Sequence, residues 1–138
     1  MKLRLAIALI PAALAAQAQA ASLTLGCSGT LTTTQLPKNG VASDPEKENI
    51  VDFSVIVDFD KRAVSGFWSD LNGLHDLIPI TATDANGVTF KGRKKGPIEK
   101  SIWGTVDRIT GKIDADETWL WQTGSLTQMA WDLRCKPT

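Results

Sequence analysis

Residues 51–59 read Val-Asp-Phe-Ser-Val-Ile-Val-Asp-Phe, and this stretch decides the fold class. Apolar side chains occupy every second position, from Val51 to Phe59, and most of the residues between them are polar. Successive side chains of a β-strand point to opposite faces, so the alternation predicts a strand with one apolar face. The charged segment 60–62 predicts a turn, and residues 63–68 predict the returning strand.

The same alternation recurs along the rest of the chain. Further strands are predicted at residues 77–83, 88–92, 100–107 and 112–120. The first and last strands are predicted at residues 23–32 and 128–135. Asn86-Gly87 and Gly111 lie between predicted strands, where turns need residues that tolerate positive φ. The sequence therefore predicts eight antiparallel strands. Helical turns are expected only at 45–49 and 71–76, and a surface loop is expected at 37–49.

Cys27 and Cys135 are the two cysteines of the chain, and alternation assigns both to the core face. A disulfide between them requires neighbouring first and last strands, because bridged Cα atoms lie about 4.4–6.8 Å apart. A meander with joined ends closes into a barrel and leaves no strand edge exposed. We expect one all-β domain over residues 21–138, an eight-stranded antiparallel meander closed as a small barrel. A two-sheet β-sandwich is the alternative.

Residues 1–20 have the three parts of a secretory signal peptide. Lys2 and Arg4 precede an apolar run, and Ala18-Gln19-Ala20 is a small-x-small cleavage site. The run is shorter than the roughly 20 apolar residues of a membrane-spanning helix, and no later segment is apolar enough to span a membrane. We expect a periplasmic or secreted protein, in a compartment where disulfides persist. Lipidation of Cys27 is the alternative, and it would leave Cys135 as an odd thiol.

Composition argues against several classes of function. The chain has 15 Lys and Arg against 15 Asp and Glu, and its basic stretch at 91–100 lacks interleaved aromatic side chains. Nucleic-acid binding is therefore not expected. His75 is the single histidine, and together with two cysteines it does not make up the usual ligand set of a zinc site. We predict neither a metal nor another cofactor.

Asp114, Asp116 and Glu117 form an acidic cluster on one predicted strand. Alternation places the two aspartates on the polar face and Glu117 on the apolar face, at a barrel rim or beside a bulge. Glycosidases use two carboxylates that flank a sugar, so catalysis through Glu117 and Asp116 is one interpretation. A solvated strand face is the other, and we predict no catalytic residue.

Tryptophan is the unusual component, with five residues and no tyrosine. Trp119 and Trp131 fall on the core face, and Trp121 would join them if its strand continued. Buried aromatic side chains, of about 150–250 Å² each, commonly fill a small barrel. The alternative is a pocket in which they stack on a flat ligand. For that case the candidate ligand-binding residues are Trp119, Trp121, Trp131 and Glu117.

Several motifs resemble those of small uncharacterised exported β-rich proteins of Gram-negative bacteria. They are Cys27-Ser28-Gly29-Thr30, Glu48-Asn49, residues 103–111 and Leu133-Arg134-Cys135-Lys136-Pro137. These motifs are strand ends and turns, and the group has no assigned activity. The resemblance therefore implies a shared scaffold with the same bridge, and implies nothing about mechanism.

The leading functional hypothesis is a non-enzymatic β-barrel binding module. Its partner would be a small, partly apolar ligand or an exported protein. One alternative is an inhibitor of an exported hydrolase, with residues 37–49 and 92–100 as contact loops. Another alternative is a carbohydrate-active enzyme. The fold class alone does not decide among them.

Overall fold

Eight antiparallel strands, each hydrogen-bonded to the next in chain order, form a closed barrel. The structure, a computed structural model, describes residues 22–68 and 76–138. The predicted signal peptide at residues 1–20, His75 and all but the last residue of the predicted helical turn at 71–76 lie outside the described residues. The strands are β1 (Ser22–Leu36), β2 (Glu46–Asp58), β3 (Ala63–Ser65), β4 (Ile78–Thr83), β5 (Gly87–Lys94), β6 (Glu99–Asp107), β7 (Lys112–Leu120) and β8 (Leu126–Pro137).

The barrel closes where β1 pairs with β8. Strand β1 is hydrogen-bonded to β2 along one edge and to β8 along the other, with partners running from Leu25↔Pro137 to Leu36↔Leu126. The predicted eight-stranded barrel is thus confirmed, and the two-sheet sandwich is excluded. The described part of the chain contains no helix long and apolar enough to cross a membrane.

The predicted disulfide lies in this closing seam. Cys27 and Cys135 are direct cross-strand partners, with Cα atoms 4.1 Å apart and the two sulfurs bonded across a sequence separation of 108 residues. Both residues are buried, as the alternation of their strands predicts. The covalent link therefore joins the same two strands whose hydrogen bonds close the barrel.

A bulge in β2 changes which face one of its residues occupies. Cys27 pairs with Phe53 but Gly29 pairs with Ile50, so β2 holds one extra residue between these pairs. Asp52 takes a left-handed conformation there, with φ 54°, and the bulge reverses the alternation. The assignment of Val51 to the core was therefore wrong, since Val51 is 72% exposed. Ile50 instead packs against the core.

Two connections are shorter than predicted because the strands beside them are longer, and strand β3 is shorter than predicted. Strand β2 begins at Glu46, so residues 45–49 form no helical turn and the loop after β1 covers only 37–45. The β5–β6 connection is likewise reduced to residues 95–98, which shortens both contact loops of the inhibitor hypothesis. Strand β3 ends at Ser65, so Trp68 lies beyond it in the following connection.

The barrel interior is filled by apolar side chains from all eight strands. Phe90, Ile78, Ile113, Leu133, Val55, Val57 and Val64 are the largest side chains with essentially no exposure. Such burial is the main favourable contribution to the stability of a small domain.

Gly104 on β6 allows the close packing of Phe90. A Cβ atom at this position would overlap the Cζ atom of Phe90 and lie 2.9 Å from the Cβ of Ala115. We expect Gly104→Ala to lower the free energy of unfolding by about 1–3 kcal/mol, because overpacking forces neighbouring side chains to move. Urea denaturation measures this loss.

Gly96 is the matched control for that substitution. A Cβ atom there would have its nearest neighbour at 3.7 Å, and the residue is exposed in the β5–β6 connection. Gly96→Ala should leave stability unchanged or raise it by about 0.4–1 kcal/mol through a less flexible unfolded chain. Equal effects at the two glycines would contradict the described packing around Phe90.

The turn between β6 and β7 is held by one carboxylate. Asp107 accepts hydrogen bonds from the backbone N–H groups of Thr110 at 3.1 Å and Ile109 at 2.8 Å. These bonds favour the charged form and lower the pKa of Asp107 below its usual value. Gly111 completes the turn with φ 73°, a conformation that favours glycine. The turn sets the register of the two strands that carry the candidate site.

Candidate functional site

Glu117 is a charged residue inside the barrel. No register shift interrupts the pairing of β7 with β6 or β8, so alternation continues from Ile113 through Ala115 to Glu117. All three are buried, and Glu117 is only 2% exposed. The predicted inward direction of Glu117 is thus observed, and it needs no bulge in its own strand.

Three indole N–H groups donate hydrogen bonds to the Glu117 carboxylate. Oε1 accepts from Nε1 of Trp68 at 2.8 Å and from Nε1 of Trp119 at 2.6 Å. Oε2 accepts from Nε1 of Trp131 at 3.1 Å. We call these four residues the carboxylate–indole cluster. It links β7, β8 and the connection after β3.

The cluster compensates the cost of burying a carboxylate. Removing a carboxylate from water is unfavourable unless donors replace its hydration, and hydrogen bonds to charged acceptors are stronger than neutral ones. Among the described residues no buried side-chain nitrogen or oxygen lacks a partner. The Glu117 oxygens are therefore engaged in holding the barrel together, which leaves them poorly placed to act on a substrate.

Aromatic side chains fill the interior beside this cluster. The ring of Trp131 stacks on Phe53 with centroids 5.1 Å apart and meets Phe67 edge-on at 5.4 Å. Phe67 in turn stacks on Phe90 at 5.5 Å. Trp131 thus has the role of core filler, with its N–H group directed to Glu117.

Trp119 and Trp121 lie near one end of the barrel in different environments. Trp119 is partly buried, and the Lys100 ammonium lies 4.5 Å from the centre of its ring. Strand β7 ends at Leu120, and Trp121 follows it with its ring centroid 6.0 Å from that of Trp119. Its indole N–H donates to Oγ1 of Thr127 at 2.9 Å, and the residue is 37% exposed.

The structure brings together three of the four candidate ligand-binding residues. Glu117, Trp119 and Trp131 meet in the cluster, whereas Trp121 contacts the ring of Trp119 and makes no hydrogen bond to Glu117. Trp68, which is separated from Glu117 by 49 residues, was not among the predicted site residues. Its place after β3 gives no local signal for that contact, because the contact depends on how the barrel closes.

The acidic pair considered for glycoside hydrolysis does not form. Glu117 points into the barrel, whereas Asp116 and Asp114 are exposed on the outer wall. The two carboxylates of a glycosidase must flank one sugar, and the sheet lies between these. Among the described residues no group of three His, Cys, Asp or Glu side chains is placed to hold a metal ion.

A groove on the outer wall is the other candidate site. It runs across β5, β6 and β7 to the start of β8, has a volume of about 690 Å³ and lies around Trp103, which is 48% exposed. We call it the Trp103 groove. The side chains that line it are Lys91, Arg93, Glu99, Ser101, Trp103, Asp116, Thr118, Leu120 and Leu126.

The position of Trp103 on the wall follows from alternation along β6. Ile102, Gly104 and Val106 are buried on the inner face, so Trp103 between them must face outward. Its direct cross-strand partners are Lys91 on β5 and Asp116 on β7. Trp103 was not among the predicted site residues, although the alternation along β6 contained this signal.

Comparisons with protein-family models, with curated proteins and with solved structures find no match.

Proposed function

We propose that this protein is an exported, non-enzymatic binding module that works in an oxidising compartment, and that it contacts its ligand through the Trp103 groove. The observation that carries the proposal is the exposed indole of Trp103 in a groove of small-molecule size. Ligand sites commonly have volumes of about 300–1,000 Å³ and combine apolar surface with a few polar groups.

The disulfide supports the compartment part of the proposal. A Cys27–Cys135 bridge is consistent with an oxidising compartment, where such bonds persist. The predicted signal peptide at residues 1–20 and the resemblance to exported proteins of Gram-negative bacteria point the same way. Location in the periplasm or outside the cell is the narrower part of the proposal.

The absence of enzymatic activity is supported by the state of Glu117. Its carboxylate is the buried acidic group of the described barrel, and it accepts three indole N–H bonds. A general acid or base must exchange a proton with a substrate within hydrogen-bonding reach. The three indole N–H groups already take the positions within hydrogen-bonding distance of the carboxylate. The cluster therefore acts as a structural anchor.

The outer wall supports binding because large apolar side chains are exposed there on rigid strands. Trp103 and Leu120 are 48% and 40% exposed, and both belong to strands paired on two sides. A preorganised surface of this kind loses little conformational entropy on binding. The shortened connections at 37–45 and 95–98 offer less contact area to a hydrolase partner, so we favour the groove.

Nuclear magnetic resonance with a fragment library of sugars, fatty acids and short peptides tests this proposal on the exported protein. We expect binders to shift the indole N–H signal of Trp103 and the amide signals of Ser101 and Thr118. The indole signals of Trp68 and Trp131 should stay in place. Binders that perturb only the interior indoles would overturn the groove as the site, and a library without any binder would overturn the binding module.

A further inference from the structure

The Trp103 groove places hydrogen-bonding groups of both kinds beside an aromatic face. Lys91 and Asp116 are the direct cross-strand partners of Trp103, at the separation of about 4.5–5.5 Å that is usual for such pairs. Lys91 is a donor and Asp116 an acceptor, and both are exposed. A ligand on the indole would therefore meet a donor on one side and an acceptor on the other.

The next outward-facing cross-strand pair along the groove carries two hydroxyl groups. Ser101 on β6 pairs directly with Thr118 on β7, one step of alternation away from Trp103 on the same face. A hydroxyl both donates and accepts hydrogen bonds. Beyond this pair, Leu120 pairs with Leu126 at the end of the groove and forms a second apolar surface.

The charges of the groove balance, and this restricts the class of ligand. Arg93 and Glu99 form an ion pair, and the cation of Lys91 is matched by the anion of Asp116. An anionic or cationic ligand would meet no excess of opposite charge. A wholly apolar ligand would desolvate these polar groups without replacing their hydrogen bonds.

A neutral sugar is neither charged nor wholly apolar, so it fits both restrictions. One face of a pyranose ring carries C–H groups that suit an indole, and its hydroxyls donate and accept around the ring edge. Leu120 lies four residues beyond Asp116, the cross-strand partner of Trp103, which is roughly 14 Å along the strand direction at 3.4 Å per residue. That distance exceeds the size of one ring, so the two apolar surfaces suit different rings of one chain.

We propose that the Trp103 groove binds a neutral oligosaccharide, with one sugar ring stacked on Trp103 and its hydroxyls bonded to Lys91 and Asp116. This inference rests on the proposed function, because it assigns the ligand class of the same site. It requires no catalysis, and it does not use Glu117.

Calorimetric titration of the exported protein with cellotetraose and with chitotetraose tests the inference. We expect at least one of the two to bind, and Trp103→Ala to weaken that binding about tenfold or more through the lost aromatic contact. Trp103→Phe should retain most of the affinity, because it keeps an aromatic face. Ile109→Ala, which removes an exposed side chain in the β6–β7 turn outside the groove, should leave affinity unchanged.

The outcomes separate the sugar inference from the proposed function. Absence of binding by both tetrasaccharides at millimolar concentration, or binding that Trp103→Ala leaves unchanged, would overturn the sugar inference. If other fragments still shift the Trp103 indole signal, the binding module stands with another ligand class. Unchanged urea midpoints of the variants show that an affinity loss is not a loss of folding.

Discussion

Replacing Cys27 and Cys135 together by alanine is expected to lower the free energy of unfolding by about 4–5 kcal/mol. The bridge spans 108 positions of sequence, and a closed loop of about 100 residues removes roughly 4.7 kcal/mol of chain entropy from the unfolded state. This is a large share of the roughly 5–15 kcal/mol that stabilises a typical domain. The alanines avoid placing new polar groups at two buried positions.

Urea denaturation of the double variant and of the parent protein in reductant measures this effect. Both should show the same decrease in unfolding free energy, because both lack the constraint on the unfolded chain. The β1–β8 hydrogen bonds remain in either case, so any surviving folded fraction should keep the barrel. A decrease of less than about 1 kcal/mol would show that the unfolded chain is already compact near these residues.

Glu117→Ala is expected to destabilise the protein by roughly 3–5 kcal/mol. The substitution leaves the indole N–H groups of Trp68, Trp119 and Trp131 without their acceptor, and each buried orphan donor costs about 1–3 kcal/mol. The cavity left by the side chain adds to the loss. Trp119 and Trp131 are only partly buried, so water relieves part of their cost.

Glu117→Gln separates the role of the acceptor from that of side-chain volume. Its amide oxygen can still accept from Trp68 and Trp119, but its NH₂ group would then face the Trp131 donor. A smaller loss than that of Glu117→Ala is expected. Asp116→Ala is the matched control on the outer face of the same strand, and we expect a change within about 0.5 kcal/mol. Equal losses at positions 116 and 117 would contradict the inward placement of Glu117.

Alternation along strands predicted the main features of the fold because the barrel has one inner and one outer face. It placed Cys27, Cys135 and Glu117 on the inner face, and the structure has all three buried. The cysteines predicted that the first and last strands are neighbours, and closure of the meander followed from that prediction, with the two-sheet sandwich as the alternative that the structure excludes. Local pattern and global topology agree in this chain.

The features that were not predicted depend on an unusual backbone conformation or on contacts between residues that are far apart in the sequence. Asp52 adopts a positive φ that is uncommon outside glycine, and a bulge at a non-glycine residue has no simple sequence signature. Val51 was therefore assigned to the wrong face. The contact of Trp68 with Glu117 joins two distant segments through the barrel interior, and the groove around Trp103 appears only when three strands are assembled.

The five tryptophans divide into an inner and an outer set, and this division underlies the proposed function. Trp68, Trp119 and Trp131 hold Glu117 inside, whereas Trp103 lies exposed on the wall. Trp121 lies beside Trp119, with ring centroids 6.0 Å apart, but its N–H group donates to Thr127 and not to Glu117. In the proposed function, stability and binding therefore depend on different residues on opposite sides of one sheet.

Hydrogen–deuterium exchange of the five indole N–H groups, followed by nuclear magnetic resonance, tests this division most directly. The account predicts slow exchange at Trp68, Trp119 and Trp131, and fast exchange at Trp103. Glu117→Gln should speed exchange most at Trp131, whose acceptor it removes. Exchange at Trp103 slower than at Trp68, or exchange at all three inner indoles as fast as in a free indole, would contradict the account.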